Sequence, residues 1–407
     1  MNIYLKEVKN KQIVKDVFIS GSKSESNRLL ILQKLFNDIT IKNLSDSDDT
    51  LHLQKALSSK EQTINIGHAG TNMRFLTAFF ASQKNKVVVL SGSERMHNRP
   101  IKILVKALKD LGADISYIQK EGYPPLKIIG KELTQSRVQI SGNISSQYIS
   151  ALLLIASCLP EGLHIDLLGK ITSISYINMT LSLLHKLGIE TFFKDQIIQV
   201  KPFQEIEKQT FVVESDWSSA SYFYSIVAFS DIGSEIRLSS YKKESLQGDS
   251  ALADIYEFFG IKTIFDGNTI LLKKVAEHQK DILILDLNKT PDIAQTIAVT
   301  CFGLGVLCKL TGLHTLKIKE TDRLEALKVE LTKLGAIISV STHSLHIKSS
   351  SKINSNISIE TYNDHRMAMS FAPLAMKTSI EILDADVVSK SYRNFWGDLK
   401  QIGFQLN

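Results

Sequence analysis

One phrase recurs along this chain: a helix-like run, then Leu, Ile or Phe followed by Gly, then a strand-like run. It reads ALKDLGADISY, LLHKLGIETFF, IYEFFGIKTIF, ELTKLGAIISV and LKQIGFQL. The glycines are Gly112, Gly188, Gly260, Gly335 and Gly403, at steps of 76, 72, 75 and 68 residues. A glycine just past a helix accepts the left-handed backbone from which the next residues leave as a strand. One such joint is ordinary in an α/β protein; five at near-constant spacing define a repeat. A chain of 407 residues holds six units of this length. The missing joint should fall near residues 36–60, where LHLQKALSS runs into KEQTINIGHAG without a Leu-Gly, so that unit reads as shortened. The expected class is α/β, with helices and sheets repeated three times in each of two domains. It is not the alternating pattern of a doubly wound sheet, and no GxGxxG or GxxxxGK[ST] supports a dinucleotide or P-loop site.

Composition narrows the function. With 43% apolar and 22% charged residues and 7 prolines, the chain is globular rather than disordered. Its first residues, MNIYLKEVKNKQIVKDV, contain no apolar signal-peptide core. The longest apolar stretches, Ala151–Leu159 and Ile297–Cys308, are too short or interrupted to span a bilayer. A cytoplasmic protein without membrane contact is expected. Three cysteines, Cys158, Cys301 and Cys308, lie in apolar stretches without CxxC spacing and read as buried thiols of a reducing compartment. The net charge of +6 suits anionic ligands. Its basic residues are scattered and not interleaved with aromatics, so small anions are expected rather than nucleic acid.

Most polar motifs fall at predicted helix starts. GSKSESNRLLILQKL places Lys23 and Ser24 in a loop and Arg28 in a first turn. GHAGTNMRFLTAFF puts Gly70 and Thr71 at a start, and SGNISSQYISALLLIAS puts Ser145, Ser146 and Gln147 there. KTPDIAQTIAVTCF offers Pro291 near N1 with Asp292 beside it. KIKETDRLEALKVEL opens with Glu320, Arg323 following one turn on, and YNDHRMAMSFAPLAM opens with Asp364, His365 and Arg366. Helix starts carry unpaired N–H groups and partial positive charge, and so attract anions. Capping accounts for Ser and Thr at such places. It does not account for Arg28, Arg323 and Arg366, which the dipole repels unless an anion compensates them. Weaker signals are Arg99 before Pro100, Ser173 and Tyr176 before a helix, Ser218 in ESDWSSASYF, and Lys390 in VVSKSYRNFWGDL.

Taken together, GSKSxSNR, LSDSDD, AGTxMR, RPI, YPPL, SSQY, SxxYI, SSASYF, LQGD, PDIAQTIA, KETDRL, TYNDHRMAM and ILDADVVSKSY resemble the 5-enolpyruvylshikimate-3-phosphate synthase family. They run in order from Gly21 to Tyr392. The resemblance implies the family's inside-out barrel fold: two similar domains, each of about three βαβαββ units, one shortened here. The chain would cross twice, giving one domain from residues 1–20 and 214–407 and another from 21–213. Closure on substrate would bring their motifs together.

The resemblance also implies transfer of the enolpyruvyl group of phosphoenolpyruvate to the 5-hydroxyl of shikimate 3-phosphate, by addition and elimination, without metal or cofactor, in a monomer. Lys23, Asp292 and Glu320 are then the catalytic residues. Shikimate 3-phosphate would meet Lys23, Ser24, Arg28, Ser145, Ser146, Gln147, Ser173, Tyr176, Asp292, Thr315 and Lys319. Phosphoenolpyruvate would meet Lys23, Gly70, Arg99, Gln147, Arg323, Arg366 and Lys390. Glyphosate would compete at the latter site. The sequence departs from the family pattern at His68, where Asn is common, at Phe75, where Pro is common, and at Thr315, where Asn is common. None of the three is expected to touch the charged set. The nearest rival, a UDP-N-acetylglucosamine enolpyruvyl transferase, needs a loop cysteine near His97–Leu104, and none is there. RNA 3′-phosphate cyclase and a non-catalytic anion binder would leave the shikimate motifs or the Asp292 and Glu320 carboxyls without a purpose.

Overall fold

A computed structural model describes residues 1–143, 145–203, 205–348 and 352–407. Contacts divide the chain into two units, Met1–Gly21 with Glu214–Asn407, and Ser22–Val213. The glycine joints end their helices as the repeat anticipates. Gly112, Gly188, Gly260, Gly335 and Gly403 all have positive φ, from 73° to 114°. At Gly112 the amide donates to the Lys109 carbonyl and the following Ala113 amide to Leu108. The same pair of bonds recurs at Gly188, Gly335 and Gly403. This is the Schellman arrangement, which satisfies carbonyls the helix end would otherwise strand.

The first four joints each lead into an edge strand of a small mixed sheet, and Gly403 leads to a single bridging residue, Leu406. In Ser22–Val213, one sheet has the order Thr63–Asn65, Val87–Ser91, Leu126–Ile129, Asp114–Tyr117. Its first pair is parallel and the next two are antiparallel. Arg137–Ser141, Leu163–Leu168, Ile197–Val200 and Thr191–Lys194 repeat that order and polarity. The other unit does so twice. One sheet runs Val14–Val17, Glu235–Ser239, Thr269–Lys274, Ile261–Asp266. The other runs Leu283–Asp286, Cys308–Thr311, Leu345–Lys348, Ile337–Val340. A further sheet is closed by the chain ends: Ile357–Ile359 runs parallel to Ile380–Ile382, Ile3–Leu5 is antiparallel to the latter, and Leu5 bridges Leu406. The remaining parallel pair, Gln209–Val212 with Ile39–Lys42, gains no hairpin: after helix Asp48–Ser58 the chain goes straight to Thr63–Asn65.

In three of the four full sheets a helix joins the two parallel strands; between Val14–Val17 and Glu235–Ser239 the whole Ser22–Val213 unit intervenes, and helix Trp217–Phe229 leads into the second strand. These helices are apolar nearly all round and correspondingly buried, as in Ser146–Ala156, Trp217–Phe229 and Ala294–Leu304. Hydroxyls on the latter two bond to one another and to neighbouring helices, so burial strands few polar groups: Ser221 with Thr296 (3.0 Å), Thr296 with Ser370 (3.1 Å) and Thr300 with Ser225 (2.9 Å). One sequence expectation fails here. Cys158, just past the end of Ser146–Ala156, is exposed, while Cys301 and Cys308 are buried; the apolar run ends at the helix C-terminus, where the chain turns outward. Among the described residues no helix is long and apolar enough to cross a membrane.

Candidate active site

Within Ser22–Val213, Ser22 caps helix Lys23–Leu35 and accepts from the Glu25 amide. Ser22 and Glu25 have capping-box spacing, which starts the helix earlier than the expected loop at Lys23 and Ser24. Lys23 and Ser24 therefore stand in the first helical turn, not in the loop, and Arg28 lies in the second. Lys23 Nζ is 3.3 Å from the Asp49 carboxylate.

Arg28 is buried. Its guanidinium donates to Thr180 Oγ1 (2.8 Å), the Ser24 carbonyl (2.8 Å), Ser150 Oγ (3.0 Å) and the Tyr176 carbonyl (3.3 Å). Phe75 and Tyr176 lie 5.3 and 5.7 Å from it by ring centroid, within cation–π reach. Burial pushes its pKa down to about 10. Its hydrogen-bond partners are neutral dipoles, which orient the cation without cancelling its charge. Phe75, expected to leave the charged set alone, thus touches it.

Gly70 opens helix Gly70–Ala81, and a Cβ built on it would come 2.7 Å from Arg99 Cζ. The Arg99 guanidinium thus lies directly against this glycine. Ser145 caps helix Ser146–Ala156 by accepting from the Gln147 amide, and Gln147 Nε2 reaches Thr71 Oγ1 at 3.1 Å. Ser173 precedes helix Ile174–Lys186 in left-handed backbone (φ 51°), so Tyr176 lies inside the helix rather than before it. His68 Nδ1 shares a 2.7 Å hydrogen bond with Ser93 Oγ.

In the other unit the ion pairs converge on Arg323. Asp322 caps helix Arg323–Lys333, leaving Lys319 and Glu320 ahead of it and Arg323 as its first residue. Glu320 therefore does not open the helix; the cap belongs to the Asp two residues on. Arg323 is 1% exposed. It donates to Asp364 (Nε, 2.7 Å; Nη2, 3.3 Å), Asp292 (Nη1, 3.0 Å) and Glu320 (Nη2, 3.0 Å). Burial works against its charge, yet Asp364, Glu320 and Asp292 together hold its pKa above the ordinary value. Lys390 bonds Glu320 at 2.7 Å, and Lys319 lies 3.4 Å from Asp292. Arg366 donates to the Asp292 carbonyl and to Ser218 Oγ, each at 3.2 Å. Ser218 in turn donates to Asp249, a buried carboxyl that burial and nearby Asp292 push up to about 6.

The anion demanded by Arg323 at a helix start is therefore supplied by the protein's own carboxylates. Thr315 stands apart. It is buried in the turn His314–Ile318, and its hydroxyl has no hydrogen-bond partner among the described residues.

Sequence reasoning missed Asp49, Asp249 and the part played by Asp364, underrated Ser218, and set Phe75 apart from the charged set it touches. Asp49 and Ser218 share a signal with the residues it found: each sits at the start of a helix that leads from one strand to the next in a repeated unit. Asp249 sits likewise in the turn Gly248–Ala251 that leads into helix Leu252–Ile255.

A profile for EPSP synthase (3-phosphoshikimate 1-carboxyvinyltransferase) matches residues 54–399. The chain belongs to this family. A 3-phosphoshikimate 1-carboxyvinyltransferase of Bacteroides fragilis is 46% identical over 402 residues, covering 97% of both chains. That of Mannheimia haemolytica is 34% identical, covering 95% of this chain and 96% of its own. Among solved structures, EPSP synthase from Acinetobacter baumannii superposes with a TM-score of 0.78 at 19% identity, covering both chains fully. The enolpyruvyl transferase NikO from Streptomyces tendae gives 0.76 at 12%, covering 100% of this chain and 98% of its own. At those identities the structures speak for the fold. The EPSP synthase activity of this chain, in the shikimate pathway and aromatic amino acid biosynthesis, rests on the 46% relative and the family match. An EPSP synthase moves the enolpyruvyl group of phosphoenolpyruvate onto the 5-hydroxyl of shikimate 3-phosphate and releases phosphate.

Proposed function

We propose that Lys23, Asp292 and Glu320 carry the chemistry of this synthase. The observation that supports this most is the pair Asp292 and Glu320, both ligated by Arg323 and set among Lys319, Arg366 and Lys390. Asp292 takes the proton of the 5-hydroxyl as its oxygen attacks C2 of phosphoenolpyruvate. Glu320 delivers a proton to the methylene carbon, giving a tetrahedral adduct. In elimination a proton leaves the new methyl group, the double bond re-forms and phosphate departs. Protons lent in the first half return in the second, so no net acid or base is consumed.

In this reading Ser24, Arg28, Ser145, Ser146, Gln147, Ser173, Tyr176, Thr315 and Lys319, with Lys23 and Asp292, hold shikimate 3-phosphate. Gly70, Arg99, Gln147, Arg323, Arg366 and Lys390, with Lys23, hold phosphoenolpyruvate. Arg suits planar, bidentate gripping of carboxylate and phosphate. Arriving anions give Arg323, Lys390 and Arg366 new partners and loosen Glu320 and Asp292 for proton transfer. The domains are taken as 1–20 with 214–407, carrying the acid/base pair, and 21–213, carrying the shikimate 3-phosphate set. Each is read as three βαβαββ units, with that at Ile39–Lys42 lacking its hairpin. A cytoplasmic monomer completes the reading, and sedimentation tests its monomeric part.

The test is Asp292→Asn and Glu320→Gln, which keep shape and remove the transferring carboxyl. Turnover should fall about 10²–10⁴-fold with the Michaelis constants nearly unchanged. A loss confined to binding would make these residues positioning groups only.

A further inference from the structure

Arg74, from the AGTxMR phrase, has no part in the site just proposed, and neither does Tyr148. Both are buried, 4% exposed each. Arg74 lies one turn into helix Gly70–Ala81 and folds back over its start. Its Nη1 donates to the Gly70 carbonyl at 3.0 Å, and its Nη2 donates to the Pro100 carbonyl at 2.9 Å. One guanidinium thus ties the glycine loop to the segment carrying Arg99. Tyr148, one residue past Gln147 in a second helix, donates its hydroxyl to the same Pro100 carbonyl at 2.7 Å. Arg74 Cζ lies 5.9 Å from the centre of the Tyr148 ring. The carbonyl that follows Arg99 is therefore held twice, from two helices.

The consequence appears at Gly70. A Cβ there would lie 2.7 Å from Arg99 Cζ, so the guanidinium rests against this backbone and a methyl group would have to push its end aside. A long, flexible side chain is held in one place only if its own backbone is held. The two bonds to Pro100 do that, and rigid support of this kind decides how well a binding group keeps its geometry.

We propose that Arg74 and Tyr148 form a clamp on the Pro100 carbonyl that fixes Arg99 against Gly70, making them positioning residues for phosphoenolpyruvate. The proposal rests on the reading of Gly70 and Arg99 as phosphoenolpyruvate ligands. It separates from general structural support because it names one substrate and one kinetic constant.

The experiment is steady-state kinetics in both substrates for the full chain, on Tyr148→Phe, Arg74→Lys, Gly70→Ala, the Tyr148→Phe/Gly70→Ala double variant, and Arg99→Ala as reference. Tyr148→Phe removes one hydrogen bond and keeps the ring, so it stays informative even where Arg74→Lys fails to fold. Its KM for phosphoenolpyruvate should rise about two- to tenfold, the effect of losing one ordinary buried hydrogen bond. Turnover and KM for shikimate 3-phosphate should stay within about twofold. The KM penalty of Gly70→Ala should shrink by at least about twofold in the Tyr148→Phe background, since a loosened Pro100 segment lets Arg99 retreat. An Arg99→Ala rise in KM for phosphoenolpyruvate with none in Tyr148→Phe overturns the clamp and leaves the site reading standing. A Tyr148→Phe loss that falls on turnover, or equally on both substrates, also overturns it. An unchanged KM in Arg99→Ala sinks the site reading, and the clamp with it.

Discussion

Asp249 shows how burial and charge set a single residue's behaviour. Its carboxyl is pushed from the ordinary 3.8 up to about 6, chiefly by burial and then by Asp292. The native state thus holds this proton more tightly than the unfolded chain. Its contribution to stability is whole below about pH 4 and is lost as pH rises through 6. Asp249→Asn cannot ionise, yet keeps an oxygen for the Ser218 hydroxyl. Its melting temperature relative to the parent should climb between pH 4 and pH 7; a flat or falling difference would contradict the shift. Gly70 gives a second prediction at this scale. Glyphosate should compete with phosphoenolpyruvate, as the family resemblance implies; the departures nearest the Gly70 loop, Phe75 and His68, contact Arg28 and Ser93. Gly70→Ala should raise the inhibition constant and also KM for phosphoenolpyruvate, since the methyl displaces Arg99. Titration of inhibitor against varied phosphoenolpyruvate checks both, and an unmoved KM would mean Arg99 is no ligand. Among residues, the charged candidates were legible because Arg and Lys at helix starts defy the dipole. Phe75 was not, because a ring in an apolar helix carries no mark of the cation it will support.

Elements were the most legible level, and the glycine joints explain why. A positive φ is a local demand that few residue types meet, so it leaves a trace in sequence that survives whatever packs around it. The cost of violating it differs by position. A Cβ on Gly112 finds nothing nearer than the Thr134 amide at 3.9 Å, so Gly112→Ala pays for backbone strain alone, about 1–2 kcal/mol. A Cβ on Gly260 runs into the Ala276 carbonyl, which is backbone and cannot swing aside. Urea denaturation should find Gly260→Ala the more destabilising of the two, with turnover per folded molecule unchanged in both. Equal losses would show that strain alone sets the cost. Helix boundaries were harder to read. Lys23 lies inside its helix and Glu320 outside because the caps are Ser22 and Asp322. In SKSES and KETDR several residues can cap, and only the fold chooses among them.

At the scale of the whole molecule, repetition does the organising. Two strands run parallel, a helix leads into the second, and a hairpin completes the sheet; the helix start offers backbone amides wherever the unit recurs. The two compact units each assemble a charged set from such starts, Lys23 with Asp49 and Arg28 with Tyr176 in one, the Arg323 cluster in the other. That two chain segments, Met1–Gly21 and Glu214–Asn407, form one unit was not legible from periodicity. Strand pairing across some two hundred residues leaves no local signal, and only the resemblance suggested it. On the proposed reading, this chain joins shikimate 3-phosphate to phosphoenolpyruvate through Lys23 and the Asp292–Glu320 pair. Phosphate release by the purified chain, with Lys23→Ala alongside, tests it directly. Release should require both substrates and be almost wholly lost in Lys23→Ala, which keeps a cooperative melt because Lys23 fills no core. Release from phosphoenolpyruvate alone, or parental turnover in Lys23→Ala, would contradict it.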